Sequence, residues 1–460
     1  MFTRKENDPL GEKEIPKNAY YGIQTLRAVE NFPISGLREP LVFIKAYIYI
    51  KKAAAIVNKE AGLLKKETAD AIITACDEVL SGKFIDQFVI DIFQAGAGTS
   101  FNMNVNEVLA NRALELLGTP RGEYKTVNPN DHVNMCQSTN DTFPTALHIS
   151  TLIALQPLLL ELDVLSESFE TVGKKYAHII KSGRTHLQDA VPVTMNQEFS
   201  AYSSAIKNCT NELRKRQENL YAVALGGTAT GTGANTHPKY KQHTINELSK
   251  MTGFPLKPAK NNFEALQSHR AAATISSGLK ELSLELIRIA NDLRLLASGP
   301  TTGLDEITLP PVQPGSSIMP GKVNPVMAEC LNMVAYQIVG NDTAVSLAVQ
   351  AGQLDLNVMT PVIVYNLHFA IQILTNYLPV FRTRCIEGIT VNEQKCTNYL
   401  EKNPSMATLL SPYIGYLEAA KIAKQAQKEN RSVKEIAIEK NLLTFEQLEK
   451  IFNRKNLLNE

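Results

Sequence analysis

The feature that most constrains this chain is a set of five long helical runs in its middle. The clearest begins at Ile275. Ile275, Leu279, Leu282, Leu286, Ile289, Leu293 and Leu296 follow one another at steps of 4, 3, 4, 3, 4 and 3. That 3.5-residue period asks for near-parallel, slightly left-handed helix packing. Leu284 and Ile287 lie off the stripe, so this helix is expected to be buried on more than one face, and Gly299-Pro300 ends it. A second stripe runs Leu152, Leu155, Leu159, Leu162, Phe169, Val172 and Tyr176. Pro144 suits its first turn, and Pro157 should kink it. The other runs are Glu198–Leu225 (ended by Gly226-Gly227), Val326–Ala351 and Val358–Thr383. Together they predict an all-α, mostly helical fold around an elongated bundle. A single coiled-coil pair would leave the remaining apolar faces uncovered.

The flanks differ from this block. A chain of 460 residues predicts two to four domains. The expected division is a mostly helical segment 1–142, with shorter helices such as Ile44–Glu60 and Lys66–Leu80, a five-helix bundle 143–394, and a small helical segment 395–460. In the last, Lys421–Arg431 is strongly charged and Leu443-Thr444-Phe445-Glu446 reads as a capped helix start. A net charge of +1 argues against a general nucleic-acid or acidic-membrane binder but leaves room for a local cationic pocket. The six cysteines include no CxxC pair and no Cys/His set with zinc spacing, so buried free thiols are expected. The opening residues lack a signal-peptide pattern. The apolar run Ile149–Val164 is broken by Gln156, Pro157, Glu161 and Asp163, so no membrane span is expected. These features predict a cytoplasmic protein.

Chemistry is expected where polar, Gly-rich segments interrupt the helices, and four such clusters stand out. The first is Gly96-Ala97-Gly98-Thr99-Ser100, followed by Asn102, Asn104 and Asn106, ahead of the helical run Glu107–Leu117. Ordinary capping accounts for it. The second is Gln137-Ser138-Thr139-Asn140-Asp141; its hydrogen-bonding side chains exceed what a cap requires, and a helix N-terminus can hold a carboxylate. The third is Gly183-Arg184-Thr185-His186-Leu187-Gln188-Asp189. The lone His148 and His368 lie inside apolar helices and are read as structural, whereas His186 has polar neighbours. The fourth is Gln313 to Pro325, containing Gly315-Ser316-Ser317-Ile318-Met319-Pro320-Gly321-Lys322-Val323-Asn324-Pro325. It is not a phosphate loop: five residues rather than four separate Gly315 from Gly321-Lys322, and Val323 stands where Ser or Thr is needed. An ordinary connection poorly explains two serines, a lysine and an asparagine so close together.

Gly315 to Pro325 resembles the signature loop of the aspartase/fumarase superfamily, and the other three clusters resemble that superfamily's remaining active-site segments in the same order. The resemblance extends from Ala19-Tyr20-Tyr21-Gly22 to Leu442-Leu443-Thr444. Gly321-Lys322-Val323 is closer to the fumarase and aspartase branch than to argininosuccinate or adenylosuccinate lyases. Ser138-Thr139-Asn140, Asn128 within Val127-Asn128-Pro129-Asn130, and Ala351 to Met359 resemble aspartases. Asn262-Phe263-Glu264-Ala265-Leu266 and Asn235-Thr236-His237-Pro238 resemble fumarases. The resemblance implies elimination of ammonia from L-aspartate to give fumarate; the alternative is the class II fumarase reaction on L-malate.

That reaction removes a very weakly acidic proton beside a carboxylate and builds a second negative charge there, so donors must wait where the charge develops. The resemblance assigns Thr99, Ser138, Thr139 and Ser317 to the β-carboxylate, Lys322, Asn324, Thr185 and His186 to the α-carboxylate, and Asn140 to the leaving ammonium. It makes Ser316 the base, which needs a donor-rich setting favouring its alkoxide. By pKa, His186 is the more obvious base; the resemblance instead pairs it with Glu329 as a carboxylate-binding cation. No nicotinamide, flavin, pyridoxal or metal motif is evident, and no cofactor is expected. The family pattern implies a homotetramer with a twenty-helix core, each active site drawn from three subunits, and a small dicarboxylate as the partner.

Overall fold

The computed structural model describes residues 2–458. The fold is mostly helical, and among the described residues its strands form two-stranded pairs. The five long runs are helices Thr139–Lys175, Met195–Arg216, Arg270–Leu296, Val326–Gln350 and Thr360–Phe381. The heptad stripe from Ile275 to Leu296 is buried along its whole length. The second face expected on that helix is not covered within one chain: Leu284 is 54% exposed.

Three boundaries differ from the sequence reading. The helix expected to open at Pro144 begins at Thr139 and runs through both Pro144 and Pro157. Each proline withholds the N–H that would bond the carbonyl four residues earlier, at Asn140 and at Ile153. The run expected to reach Leu225 stops at Arg216, followed by the tight turn Gln217–Tyr221. The chain then pairs Ala222–Val223 in parallel with Lys257–Pro258, a partner too remote to show in local periodicity. The helix carrying Glu107 starts at Thr99, so Asn102, Asn104 and Asn106 lie inside it.

Helix Thr139–Lys175 is long and apolar enough to cross a bilayer by length and composition, although none was expected to be. Its most apolar window averages a hydropathy of 1.5 despite the interruptions, and 56% of that window is buried inside the chain, as in the core helix of a globular protein. None of the six cysteines forms a disulfide; Cys76, Cys385 and Cys396 are buried, whereas Cys136, Cys209 and Cys330 are only half-buried. The predicted cap at Thr444 is present as a reciprocal box with Gln447.

The chain divides into two compact units, and each long helix passes from one to the other along its length. The first comprises Met1–Leu159, Asn211–Glu281 and Tyr336–Leu374. Phe43, Tyr47, Phe101 and Phe143 form its aromatic centre, with ring centroids 4.8–6.5 Å apart. Buried Glu107 caps helix Ile23–Asn31 by accepting from the backbone N–H groups of Gly22, Gln24 and Thr25 (2.8–3.1 Å). Burial still pushes its carboxyl up to about 7. The second unit comprises Leu160–Thr210, Leu282–Ala335 and Thr375–Glu460. It holds the hairpin Ile180–Thr185/Gln188–Thr194. A C-terminal apolar cluster around Leu410, Ile422, Ile436 and Leu448 lies in the same unit.

Candidate active site

The four polar clusters fall into the two units. Thr99, Ser138, Thr139 and Asn140 belong to the first; Thr185, His186, Ser316, Ser317, Lys322, Asn324 and Glu329 belong to the second.

In the first unit, Gly98 precedes helix Thr99–Leu116 with φ +83°, and a Cβ there would fall 2.0 Å from the Phe143 ring. Only glycine permits both the left-handed turn and that approach. The adjacent Ala97 N–H donates to the Val358 carbonyl (2.8 Å), which anchors the turn. Thr99 itself is exposed at the helix start.

Ser138 caps the long helix. Its Oγ accepts from Asn140 N–H (3.2 Å), and Asp141 Oδ1 accepts from Ser138 N–H (3.0 Å). Capping is therefore part of what this cluster does. The rest of Asp141, fully buried, accepts from Gly226 and Thr228 N–H (both 2.9 Å). Burial pushes Asp141 up to about 6 against the pull of these three amides. Beyond the cap, Thr139 Oγ1 accepts from Asn102 Nδ2 (2.9 Å), and Asn140 Nδ2 donates to the Ala229 carbonyl (2.8 Å). A carbonyl faces an amide nitrogen, not an amide oxygen, so this contact fixes the Asn140 orientation and leaves Oδ1 as its available acceptor. Neither Asp141 nor the Gly226–Ala229 turn was singled out from sequence as a support; the hydrogen bonds joining them span 85 residues and more.

In the second unit, His186 and Leu187 form a two-residue hairpin loop with φ +56° and +58°. Positive φ at both positions matches the twist of the paired strands but strains residues with a Cβ. The hairpin is held from behind: fully buried Lys181 pairs with Glu198 and Glu306 (both 2.7 Å), and Arg184 pairs with Glu306 (2.7 Å). Asn403 Nδ2 donates to Ser182 Oγ (3.1 Å) and to the Ala190 carbonyl (2.7 Å). Thr185 and His186 are exposed. Among the described residues no hydrogen bond or ion pair joins His186 to Glu329 within one chain.

The loop between Gly315 and Asn324 is closed at its neck. Gly315 N–H donates to the Lys322 carbonyl (2.8 Å) and Asn324 Nδ2 to the Gly315 carbonyl (2.6 Å). A Cβ on residue 315 would lie 2.4 Å from the Lys322 carbonyl oxygen, so the neck requires glycine. Within the loop, Ser316 Oγ accepts from Ile318 N–H (3.3 Å) and Met319 N–H (3.0 Å). Two amide donors on one hydroxyl oxygen favour its alkoxide. Ser317 and Lys322 are exposed. The structurally read histidines behave as such: His148 Nδ1 meets the Ala222 carbonyl (3.0 Å), His368 Nδ1 meets the Val364 carbonyl (2.9 Å), and burial pulls both down to about 4.

The family model for lyases matches residues 11–340, and that for the fumarase C C-terminus matches residues 406–459. This chain belongs to the aspartase/fumarase superfamily. Among superfamily members, the aspartate ammonia-lyase of Bacillus sp. is 49% identical over 451 residues, covering 98% of this chain and 96% of its own. The aspartate ammonia-lyase of Escherichia coli (strain K12) is 46% identical over 458 residues, 99% of this chain and 96% of its own. Solved members superpose closely. The fumarate lyase:delta crystallin of Brucella melitensis does so with a TM-score of 0.95 at 47% identity, and the class II fumarase of Schistosoma mansoni with 0.95 at 38%. Each comparison covers 98% of both chains.

Proposed function

We infer that this chain eliminates ammonia from L-aspartate to give fumarate, reversibly. The observation that carries the choice of substrate within the superfamily is the 46–49% identity to aspartate ammonia-lyases over nearly the whole chain. The Asn140 amide nitrogen faces the Ala229 carbonyl, which leaves Oδ1 as an acceptor for the leaving group. An ammonium is a donor-only group, whereas a hydroxyl both donates and accepts. Oδ1 can accept from aspartate's ammonium, all of whose hydrogens are donors, whereas malate's hydroxyl can offer it a single proton.

In this mechanism Ser316 takes the proton from the β-carbon, its alkoxide favoured by the Ile318 and Met319 amides. Thr99, Ser138, Thr139 and Ser317 donate to the β-carboxylate as it acquires its second charge. Lys322, Asn324, Thr185 and His186 hold the α-carboxylate, with Glu329 as the carboxylate partner of His186. Ammonia leaves beside Asn140. The chain works in the cytoplasm, where six cysteines outside disulfides are at home. Its working organisation is the three-segment one, 1–142, 143–394 and 395–460.

The assembly is a homotetramer whose active sites are shared between subunits. Helix Val326–Gln350 supports this: Met333, Tyr336, Gly340, Thr343 and Leu347 follow at steps of 3, 4, 3 and 4 and are all exposed. A Cβ on Gly340 would meet nothing within 4 Å, which leaves room for another helix to approach closely. The absence of a His186–Glu329 contact within one chain fits a site completed by other copies. Light scattering should give four chains per particle, and a stable monomer at micromolar concentration would sink the assembly. The substrate is tested by kcat/KM for L-aspartate and L-malate on one preparation, followed by fumarate absorbance. Aspartate should win by roughly ten- to a hundredfold for each unpaired contact. Faster hydration of fumarate than its amination at saturating ammonia would move the assignment to fumarase.

A further inference from the structure

We propose that Lys51 and Asn102 are positioning residues that set the direction of the Thr139 hydroxyl proton, so that Thr139 can only donate to its ligand. The proposal rests on the reading of Thr139 as a donor to the β-carboxylate. Lys51 lies on helix Leu41–Glu60 and is fully buried. Among the described residues its Nζ meets no carboxylate. It donates to two amide oxygens, Asn102 Oδ1 (2.8 Å) and Asn134 Oδ1 (2.9 Å). Burying a cation against neutral partners costs stability, and burial accordingly pulls Lys51 down to about 7. A leucine or methionine would fill the same core at less cost, so packing alone does not account for a lysine here.

The polarity of the chain of bonds supplies the account. Lys51 donates to both amides, so both present oxygen to it and turn nitrogen away. Asn102 Nδ2 is thereby aimed at Asn134 Oδ1 (3.2 Å) and at Thr139 Oγ1 (2.9 Å). Thr139 is then the acceptor in that bond, and its single proton must go elsewhere. Among the described residues no acceptor takes it. Thr139 is 7% exposed and Asn102 2%, so little water is at hand to reorient either group. Remove the cation and Asn102 can turn over, offering its oxygen to Thr139. The hydroxyl would then donate backwards and present a lone pair to a carboxylate.

Three variants test this, each checked for helix content, thermal midpoint and particle size. Thr139→Val removes the hydroxyl. Lys51→Met removes the cation. Asn102→Asp keeps an oxygen for Lys51 but gives Thr139 a second one, which reverses the hydroxyl while retaining the buried pair. Each should lower kcat for aspartate by roughly ten- to a hundredfold, the worth of a hydrogen bond to a growing charge. Asn102→Asp and Lys51→Met should add nothing in a Thr139→Val background, because all three remove one interaction. A merely structural role predicts losses that multiply, and that result overturns the proposal. Wild-type turnover in Asn102→Asp beside a crippled Thr139→Val overturns it as well. If Lys51→Met does not fold, Asn102→Asp and its double variant decide alone. Wild-type turnover in Thr139→Val would overturn both the proposal and the assignment of Thr139 to the carboxylate, which separates the two failures.

Discussion

Ser138-Thr139-Asn140 in one unit and Gly315 to Asn324 in the other carry similar short polar side chains, yet different physics holds them. The first set lies at a helix start whose supports are buried: Asp141, Lys51 and Asn102 are at most 2% exposed and are linked by hydrogen bonds of 2.8–3.0 Å. Its cost is electrostatic, stored in charges taken out of water. The second set is half-buried to exposed and is closed at its neck through Gly315 and the Asn324 side chain; in the same unit the His186–Leu187 hairpin tip sits at positive φ. The cost at that tip is conformational strain, a form that concentrates at functional sites. Polar groups held by such a buried support suit binding a carboxylate in one geometry. An exposed loop suits a base that must reach the substrate after it has bound.

The sharpest break of this contrast is Ser316→Ala. If the loop delivers the base, kcat should fall by roughly a thousandfold or more while dicarboxylate binding changes little. Retention of most activity would return the base to His186. Lys322→Ala comes next. It leaves a carboxylate without its cation, and the inhibition constant of a non-reacting dicarboxylate should rise by roughly ten- to a hundredfold. An unchanged constant would remove Lys322 from the carboxylate site.

Two stability tests address the stored costs. In the first unit, fully buried Glu39 accepts from Gln94 Nε2 (3.1 Å), and its other oxygen has no partner. Burial, then the nearby Asp91, raises its carboxyl from 4.5 to about 8. The folded state therefore holds a proton that the unfolded chain releases. The stability this gives is complete below about pH 4.5 and is lost as pH rises through about 8. Glu39→Gln should raise the thermal midpoint near pH 9 and leave it unchanged near pH 4; equal midpoints at both values would contradict the assignment. In the second unit, Leu187→Gly should relieve the hairpin tip. Leu187 is 71% exposed and buries little, so the gain should approach the left-handed penalty of about 1 kcal/mol. A loss of stability on denaturant titration would show that the tip is not strained.

How much of this was legible in the residues differs between the two regions. The Ser316 loop stood out because its residues are contiguous, and its neck closes between positions fewer than ten apart. The Ser138 cluster was visible as a cap with side chains to spare, but its supports were not. Lys51 sits in an apolar helix 51 residues from Asn102, where a lone lysine reads as a solvated side chain. Nor did periodicity mark the end of the helix at Arg216, because the pairing that follows it involves Lys257–Pro258.

By itself the sequence determined the five long helices, the heptad stripe on Arg270–Leu296, the unbridged thiols and the four clusters that hold the candidate site. These depend on period, turn chemistry and residue type, which act over a few neighbouring positions. Only the tertiary structure decided that the long helix opens at Thr139, that Asn140 offers an oxygen, and that two backbone amides address Ser316. The direction of a hydrogen bond is set by what lies opposite, and for Thr139 and Asn140 what lies opposite comes from elsewhere in the chain.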